Sequence, residues 1–214
     1  MAKVLSRPLA LPEIPELQLH EVIGRGRDSA VYRASRNGRS YTVKLVELAD
    51  TETTSDRLRL ARRRAAALAQ AQQPVLTNTQ AVGISGTTLY VVRDFVDGPT
   101  LSQFLAAGPL PEARIVEMAM SLAEGLSRIH SLGFVHRDIK PGNVMLAGGE
   151  QIKLIDFGLI LPAAEVSTDE LAGTARYGSP EQVGMLARPV DARSDLYSLG
   201  VLLFELSLIH ISEP

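Results

Sequence analysis

Cysteine is absent from the 214 residues, so the chain has no disulfide framework and no thiolate metal site. No apolar run reaches the about 18 residues that a transmembrane helix requires, so we expect no membrane segment in this fragment. Residues 1–18 hold three prolines and no long apolar core, which is not typical of a signal peptide. The charge is nearly balanced, with 22 basic and 24 acidic residues, so nothing indicates nucleic acid as a partner.

The first half of the chain has the loose alternation of apolar and polar residues that is typical of strands. We predict strands over residues 17–23, 31–34, 40–46 and 87–94. Asn37-Gly38 stands between the second and third of these strands and predicts a tight hairpin turn. Residues 56–72 are rich in Ala, Leu and Arg and hold no Gly or Pro, which predicts a helix.

After Gly98 the pattern changes to that of helices. Pro111 marks a helix start and Gly133 marks its end. Between them, apolar residues recur at helical spacing: Ile115, Met118, Ala119, Leu122, Leu126 and Ile129. Short strands are predicted over residues 143–146 and 151–155, and residues 194–206 are apolar on nearly all sides, which predicts a buried helix.

These elements predict an α+β protein with two lobes and a hinge at residues 94–99. The first lobe, residues 17–97, holds an antiparallel sheet and one helix, and the second, residues 98–205, is mostly helical and incomplete. Residues 1–16 form a proline-punctuated leader. Residues 206–214 resemble the translated read-through of a sequencing-library adapter, with a genuine short terminus as the alternative, and carry no functional prediction.

A glycine loop and a strand lysine form the first candidate for chemistry. Gly24 and Gly26 lie between two predicted strands, where glycine lets backbone N–H groups approach a phosphate, although a tight hairpin explains them equally well. Lys44 follows about 20 residues later on an apolar strand. A lysine there either reaches outward to solvent or anchors a phosphate, and the preceding loop favours the phosphate anchor.

Four side chains within residues 136–158 form the second candidate. Asp138 is suited to orient an attacking hydroxyl, and Lys140 to neutralise charge on a phosphoryl group. Asn143 and Asp156 supply the oxygen ligands that Mg²⁺ prefers. Any one of these acids alone is explained by a turn or a helix cap, but the order and spacing of the whole set favour phosphoryl transfer.

In this order the motifs resemble the eukaryotic-type protein kinase family, in its bacterial Ser/Thr branch. The resemblance covers residues 17–205 and rests on the glycine loop, Lys44, His136-Arg137-Asp138, Asp156-Phe157-Gly158, Ser179-Pro180-Glu181 and residues 194–200. It implies a two-lobed kinase-like fold and Mg²⁺-dependent transfer from ATP to Ser or Thr hydroxyls of protein substrates. Catalytic roles fall to Asp138, Lys140 and Lys44, and metal binding to Asn143 and Asp156. The implied nucleotide-binding residues are Ile23, Gly24, Gly26, Val31, Thr42, Lys44, Asp94, Val96 and Met145.

The same resemblance implies contacts around this core. Asp195 would brace the backbone at His136 and Arg137, and Thr174 would contact Asp138 and Lys140. Glu181 would pair with an arginine beyond this fragment. Because helices that cover residues 194–206 would also lie beyond it, we expect an exposed apolar patch and an unstable or inactive fragment.

The sequence departs from the family at Ser29, which replaces the third glycine of the loop at little cost, and at two positions that matter more for the site. Thr42 stands where alanine is usual, and Arg64 falls where a helix glutamate would pair with Lys44. No acidic residue lies between Arg57 and Gln72 to replace it. Either the helix is rotated outward and Lys44 pairs with Asp156, or catalysis is weakened; the alternative function is a nucleotide-binding pseudokinase scaffold. Arg93 stands where a hydrophobic residue backs the adenine pocket, pointing either to solvent or inward to Asp156 or another acid.

Control and location complete the expectations. The arginines at 57, 59, 62, 63 and 64 form either a solvated helix face or a receptor for a phosphorylated activation segment. Ser167 and Thr168 are the candidate sites of self-phosphorylation. We expect a cytoplasmic location for this domain, and membrane anchoring by a later part of the protein stays open.

Overall fold

The computed structural model describes residues 14–26, 29–47, 58–59, 62–63, 65–66, 73–148, 151–156 and 176–211. The chain divides into two compact units. The first comprises Met1–Ala69 and Asn78–Phe95, and the second comprises Gln70–Thr77 and Val96–Pro214. An antiparallel sheet dominates the first unit and helices the second, so the predicted α+β class is confirmed. The predicted lobe limits, residues 17–97 and 98–205, stay a prediction.

The first unit contains a five-stranded antiparallel sheet in the order β1-β2-β3-β5-β4. Its strands are β1 (Gln18–Arg25), β2 (Ser29–Arg36), β3 (Arg39–Glu47), β4 (Thr79–Ser85) and β5 (Thr88–Asp94). The predicted hairpin turn is confirmed, since Asn37 and Gly38 have φ angles of 52° and 75° between β2 and β3. Two positive φ angles in succession give the turn whose twist matches that of the flanking strands.

Side chains alternate between the two faces of this sheet. One face forms the core of the unit, with buried Ala30, Tyr32, Ala34, Tyr41, Val43, Leu45 and Val92, and Ile14 packs onto it. Lys44 pairs with Val31 on β2 and with Val91 on β5, so it lies on the opposite face. The register therefore places the lysine on the face opposite this cluster.

The helix predicted over residues 56–72 is described at three places only. Residues 58–59, 62–63 and 65–66 are helical, and Arg59, Arg62 and Arg63 are exposed. Arg57 and Arg64 lie outside the described residues, so the structure does not bear on what faces Lys44 from this helix.

Three helices are described in the second unit: α1 (Leu101–Leu105), α2 (Glu112–Ser131) and α3 (Ala192–Ile211). The predicted α2 is confirmed, because Met118, Leu122, Leu126 and Ile129 are all buried on one side. Gly133 ends this region with a φ of 78°. A capping box at Thr100 and Gln103 begins α1, which the sequence analysis missed.

Helix α3 is longer than the predicted 194–206. The prediction of burial on nearly all sides is wrong for half of its surface: Leu199, Leu202 and Leu206 are buried, whereas Leu196, Tyr197, Phe204 and Leu208 are exposed. The exposed set forms the apolar patch that was expected. Among the described residues, no helix is long and apolar enough to span a membrane.

A small two-stranded sheet carries the remaining part of the second unit. It consists of β6 (Val144–Ala147) and β7 (Gln151–Leu154), preceded by a 3₁₀ turn at Pro141–Asn143. The backbone of residues 73–77 joins β7, since Leu154 N–H donates to Val75 O at 2.7 Å. Helix α2 packs on these residues at Gly125, where an added Cβ would lie 2.4 Å from Val75 Cγ1.

Candidate functional site

The loop between α2 and β6 brings three predicted residues together around one carboxylate. Lys140 Nζ lies 2.8 Å from Asp138 Oδ2, and Asn143 Nδ2 donates to the same oxygen at 2.6 Å. Asn143 Nδ2 also donates to the Asp138 carbonyl at 2.8 Å, so the amide fixes both side chain and backbone. The other oxygen, Oδ1, is buried and accepts no hydrogen bond from the part of the chain that the structure describes. One oxygen of Asp138 is thus held by two neighbours, while the other has no hydrogen-bond partner among the described residues.

The buried carboxylate of Asp195 on α3 holds this loop by hydrogen bonds to its backbone. Asp195 accepts from the backbone N–H of His136 at 2.8 Å and from that of Arg137 at 2.7 Å. The predicted bracing by Asp195 is therefore confirmed. His130 Nε2 on α2 lies 2.7 Å from Asp195 Oδ2, so one carboxylate links two helices and the loop. Charged hydrogen bonds of this kind are among the strongest in proteins.

His136 is a buried, neutral support for the same loop. Burial lowers the pKa of its imidazole, although the carboxylates of Asp195, Asp138 and Asp156 oppose that shift. Its Nδ1 accepts the backbone N–H of Asp138 at 3.2 Å, which requires the proton to be on Nε2. The backbone of Asp138 is thus fixed by His136 and its side chain by Asn143.

Asp156 follows β7 and is connected to Asn143 through the backbone. Ile155 N–H donates to Asn143 O at 2.8 Å, which places Asp156 one residue beyond that contact. Asp156 and Arg137 have φ angles of 57° and 71°, the left-handed region that favours glycine. Non-glycine residues held in this region are often associated with function.

Predicted nucleotide-binding residues of the first unit share one part of its sheet. Val31, Thr42 and Lys44 lie on the face opposite the apolar core, by the register of β2 and β3. Gly24 pairs with Val31, and Gly26 N–H donates to Ser29 O at 2.8 Å, which closes the glycine loop. The side chain of Ile23 is half exposed at the base of this loop. Met145 lies on β6 in the second unit, where it bridges to Thr100.

Arg93 is buried, with 6% of its surface exposed, so the reading in which it points to solvent is wrong. It pairs with Thr42 across β3, which puts it on the same sheet face as Lys44. With Arg33, which pairs with Thr42 from β2, three cationic side chains therefore share this face. The hydrophobic residue that is usual at this position is replaced by a buried guanidinium.

Two supporting residues were missed by the sequence analysis. Gln182 Nε2 donates to the carbonyl of Arg137 at 2.8 Å, and its Oε1 accepts from Ser179. His130 was the other, in contact with Asp195. The only sequence signal for these two residues is that each lies close to a motif. Neither Gln nor His at these positions forms a recognisable spacing pattern. Each becomes visible when distant segments are brought together.

The segment 176–205 forms three further contacts around α3. Glu181 accepts from Ser194 Oγ at 2.5 Å, and this hydrogen bond lowers the pKa of the Glu181 carboxyl. Glu205 receives a hydrogen bond from the Tyr177 hydroxyl and an ion pair from Arg176 at 3.0 Å. Ser194 is a partner of Glu181 in the described part of the chain, and pairing with an arginine beyond this fragment stays a prediction.

Several predicted residues lie outside the described part of the chain. They are Arg57, Arg64, Phe157, Gly158, Ser167, Thr168 and Thr174. The contact of Thr174 with Asp138 and Lys140, and the identity of the residue facing Lys44, therefore stay predictions.

Comparisons with known proteins agree with these motifs. Residues 17–211 match the family described as protein kinase domain. A probable serine/threonine-protein kinase of Streptomyces coelicolor is 39% identical over 202 residues, which cover 88% of this chain and 29% of that protein. Serine/threonine-protein kinase PknB of Mycobacterium leprae is 34% identical over 199 residues, covering 88% of this chain and 32% of PknB. The chain thus spans about a third of the length of these relatives.

A solved structure of a bacterial kinase domain has a similar fold. The crystal structure of the Mycobacterium tuberculosis PknI kinase domain superposes with a TM-score of 0.69 at 23% identity. The match covers 90% of this chain and 73% of that domain. Likeness at this identity establishes the fold, and the predicted two-lobed fold class is confirmed by it.

Proposed function

Because the chain belongs to the protein kinase domain family, we propose that it transfers the γ-phosphoryl group of ATP to Ser or Thr hydroxyls of protein substrates. One observation carries the proposal: the Asp138 carboxylate is held through Oδ2 by Lys140 and Asn143, while Oδ1 has no hydrogen-bond partner in the described part of the chain. An oxygen fixed in this way is suited to receive the hydrogen of a substrate hydroxyl. The naming of the relatives as serine/threonine-protein kinases supports the Ser/Thr specificity.

The residues of the second unit fit a magnesium ion. Among the described residues, no three His, Cys, Asp or Glu side chains gather as a metal cage. Mg²⁺ does not need one, because one or two protein oxygens together with substrate phosphates suffice. Asn143 donates through Nδ2, which leaves its Oδ1 as an acceptor, and the Asp156 carboxylate supplies the second oxygen. Bound with ATP, Mg²⁺ would offset the negative charge of the phosphates.

Each proposed role follows from the chemistry of the side chain. Asp138 orients the substrate hydroxyl and receives its proton. Lys140, 2.8 Å from Asp138, carries the positive charge that stabilises the phosphoryl group in transit. Lys44 and the backbone of Gly24 and Gly26 would hold the phosphates. The remaining proposed nucleotide contacts are Ile23, Val31, Thr42, Asp94, Val96 and Met145.

The alternative, a pseudokinase scaffold, finds no support in the comparisons. This alternative was considered because Arg64 stands where a helix glutamate is usual in the family. Arg64 lies outside the described residues. The Asp138, Lys140 and Asn143 cluster is assembled, and the relatives are named as kinases. The proposal has four further parts. They are protein substrates, self-phosphorylation at Ser167 or Thr168, a cytoplasmic location, and membrane anchoring by a later part of the protein.

The test is Mg²⁺-dependent transfer of labelled γ-phosphate from ATP to a Ser/Thr-containing protein by the full-length protein. We expect Asp138→Asn to lower the rate by about 10²–10⁴-fold, because the amide does not accept the hydroxyl proton. Glu124→Gln, on the exposed side of α2, is the matched control and keeps the wild-type rate. A wild-type rate no greater than that of Asp138→Asn contradicts the proposal.

A further inference from the structure

We propose that Asn78, Gln80 and Arg33 are positioning residues that set the segment Asp94–Val96 for binding the nucleotide base. The inference rests on the proposed function, which assigns Asp94 and Val96 to the nucleotide. It adds three residues, none of which belongs to a motif in the sequence. We call Asn78, Gln80 and Arg33 the strand-end clamp.

The first half of the clamp consists of two amides on one carboxylate. Asn78 Nδ2 donates to Asp94 Oδ2 at 3.0 Å, and Gln80 Nε2 donates to Asp94 Oδ1 at 2.7 Å. The backbone N–H of Asp94 also donates to Asn78 O at 3.1 Å. Both oxygens of Asp94 and its amide are therefore tied to the start of β4.

A β-bulge explains how Gln80 of β4 reaches the same acid as Asn78, the residue before that strand. Thr79 pairs with Arg93 and Ala81 with Val92, so Gln80 is an extra residue in the ladder. A bulge re-aims the side chain that it carries and ends regular pairing. Here it turns the Gln80 amide toward the last residue of β5.

The second half of the clamp acts on the opposite face. Asp94 pairs with Tyr41, on the core face of the sheet, and the next residue, Phe95, is expected on the other face by alternation. The Arg33 guanidinium lies over the Phe95 ring, 5.0 Å from its centroid. Glu21 Oε1 lies 3.5 Å from Arg33 Nη1 and restrains that cation. Consecutive residues are thus held from opposite sides.

The clamp holds the chain at the point where the strand pairing of β5 ends. Strand β5 ends at Asp94, and in the described part of the chain the backbone groups of Phe95 and Val96 form no backbone hydrogen bond. Such groups can bind the edge of a planar heterocycle only if their direction is fixed beforehand. The clamp contacts are exposed or half-exposed, so they contribute little to global stability. We therefore expect their loss to reduce nucleotide affinity and to leave the fold intact.

The experiment compares wild type, Asn78→Ala/Gln80→Ala and Arg33→Met in the full-length protein. Nucleotide affinity is measured by titration with MgATP, together with KM and kcat for ATP and the midpoint of thermal unfolding. We expect about a tenfold rise in Kd and KM for the double variant, with kcat within about twofold and an unchanged unfolding midpoint. Gln18→Ala, an exposed amide on β1, is the control without effect.

Two further measurements keep the outcome decisive. Gln80→Glu places a second carboxylate against Asp94 and should raise KM at least as much as Gln80→Ala; it serves in place of the double variant if that one does not fold. Amide hydrogen exchange of Asp94, whose N–H donates to Asn78 O, should become faster in every clamp variant without nucleotide. Unchanged affinity and exchange, or a fall in kcat alone, overturns the inference. A wild type that transfers no phosphate while exchange still responds would overturn the proposed function and leave the positioning intact.

Discussion

Asp195 on α3 accepts the backbone N–H of His136 at 2.8 Å with a carboxylate that has no exposed surface. The same carboxylate binds the N–H of Arg137 and the ring of His130. Its removal would leave these two N–H groups and the His130 ring without their charged partner. We expect Asp195→Ala to lower the free energy of unfolding by about 3 kcal/mol or more, measured by denaturant titration. Glu117→Ala, which removes an exposed partner of Arg114 on α2, should leave it nearly unchanged.

The charge of Lys140 should matter for rate more than for nucleotide binding. Its ammonium group lies beside Asp138 in the proposed site, where charge develops during transfer. Lys140→Met is expected to lower kcat by about 10²-fold with little change in KM for ATP, and Lys140→Arg to retain part of the rate. Steady-state kinetics decide the matter; an unchanged kcat in Lys140→Met would remove Lys140 from the mechanism.

Two helix glycines should respond to alanine in opposite directions. A Cβ at Gly125 would lie 2.4 Å from Val75 Cγ1, a stiff and buried side chain, so Gly125→Ala forces α2 away from residues 73–77. We expect a loss of about 1–3 kcal/mol in unfolding free energy. A Cβ at Gly200 in α3 meets nothing within 4 Å, so Gly200→Ala should gain about 0.5–1 kcal/mol. Equal effects in the two variants would contradict the packing of α2.

Tyr177 makes stability depend on pH in the alkaline range. Burial and the hydrogen bond to Glu205 raise the pKa of Tyr177 to about 12, above the ordinary value of 10.0. The neutral phenol therefore stabilises the fold fully below pH 10.0, and this contribution is lost as the pH rises towards about 12. The midpoint of thermal unfolding should fall more steeply across this pH range in wild type than in Tyr177→Phe. Tyr197→Phe, which alters an exposed ring, should keep the wild-type slope.

Local patterns predicted much of the fold, because local chemistry decides those parts. Asn37-Gly38 adopts the turn that its residue types require, and the apolar spacing of α2 matches its buried side. Strand β4 was missed, since Gly83 and a bulge at Gln80 interrupt its alternation. Helix α3 was predicted as buried because its composition is apolar all round, whereas burial depends on what packs against each side.

The site was predictable to the extent that its residues are close in sequence. Asp138, Lys140 and Asn143 lie within one loop, and the structure brings them into contact. The supports His130 and Gln182 reach the same loop from distant segments, so sequence spacing carries no sign of them. The sequence singled out Arg93 but left open whether its side chain is buried. Its burial depends on the packing of a whole sheet face, which the local sequence does not contain.

The left-handed backbone at Arg137 and Asp156 has a consequence for how this chain can change over evolution. Each non-glycine residue in that conformation costs about 1–3 kcal/mol, which glycine would recover. Arg137→Gly and Asp156→Gly are thus substitutions that relieve strain, yet one removes a cation beside Asp138 and the other a proposed metal ligand. A population selected only for thermal resistance would be drawn toward glycine at both positions. Arg and Asp are thus the less stable choice at these positions, which the proposed chemistry would account for.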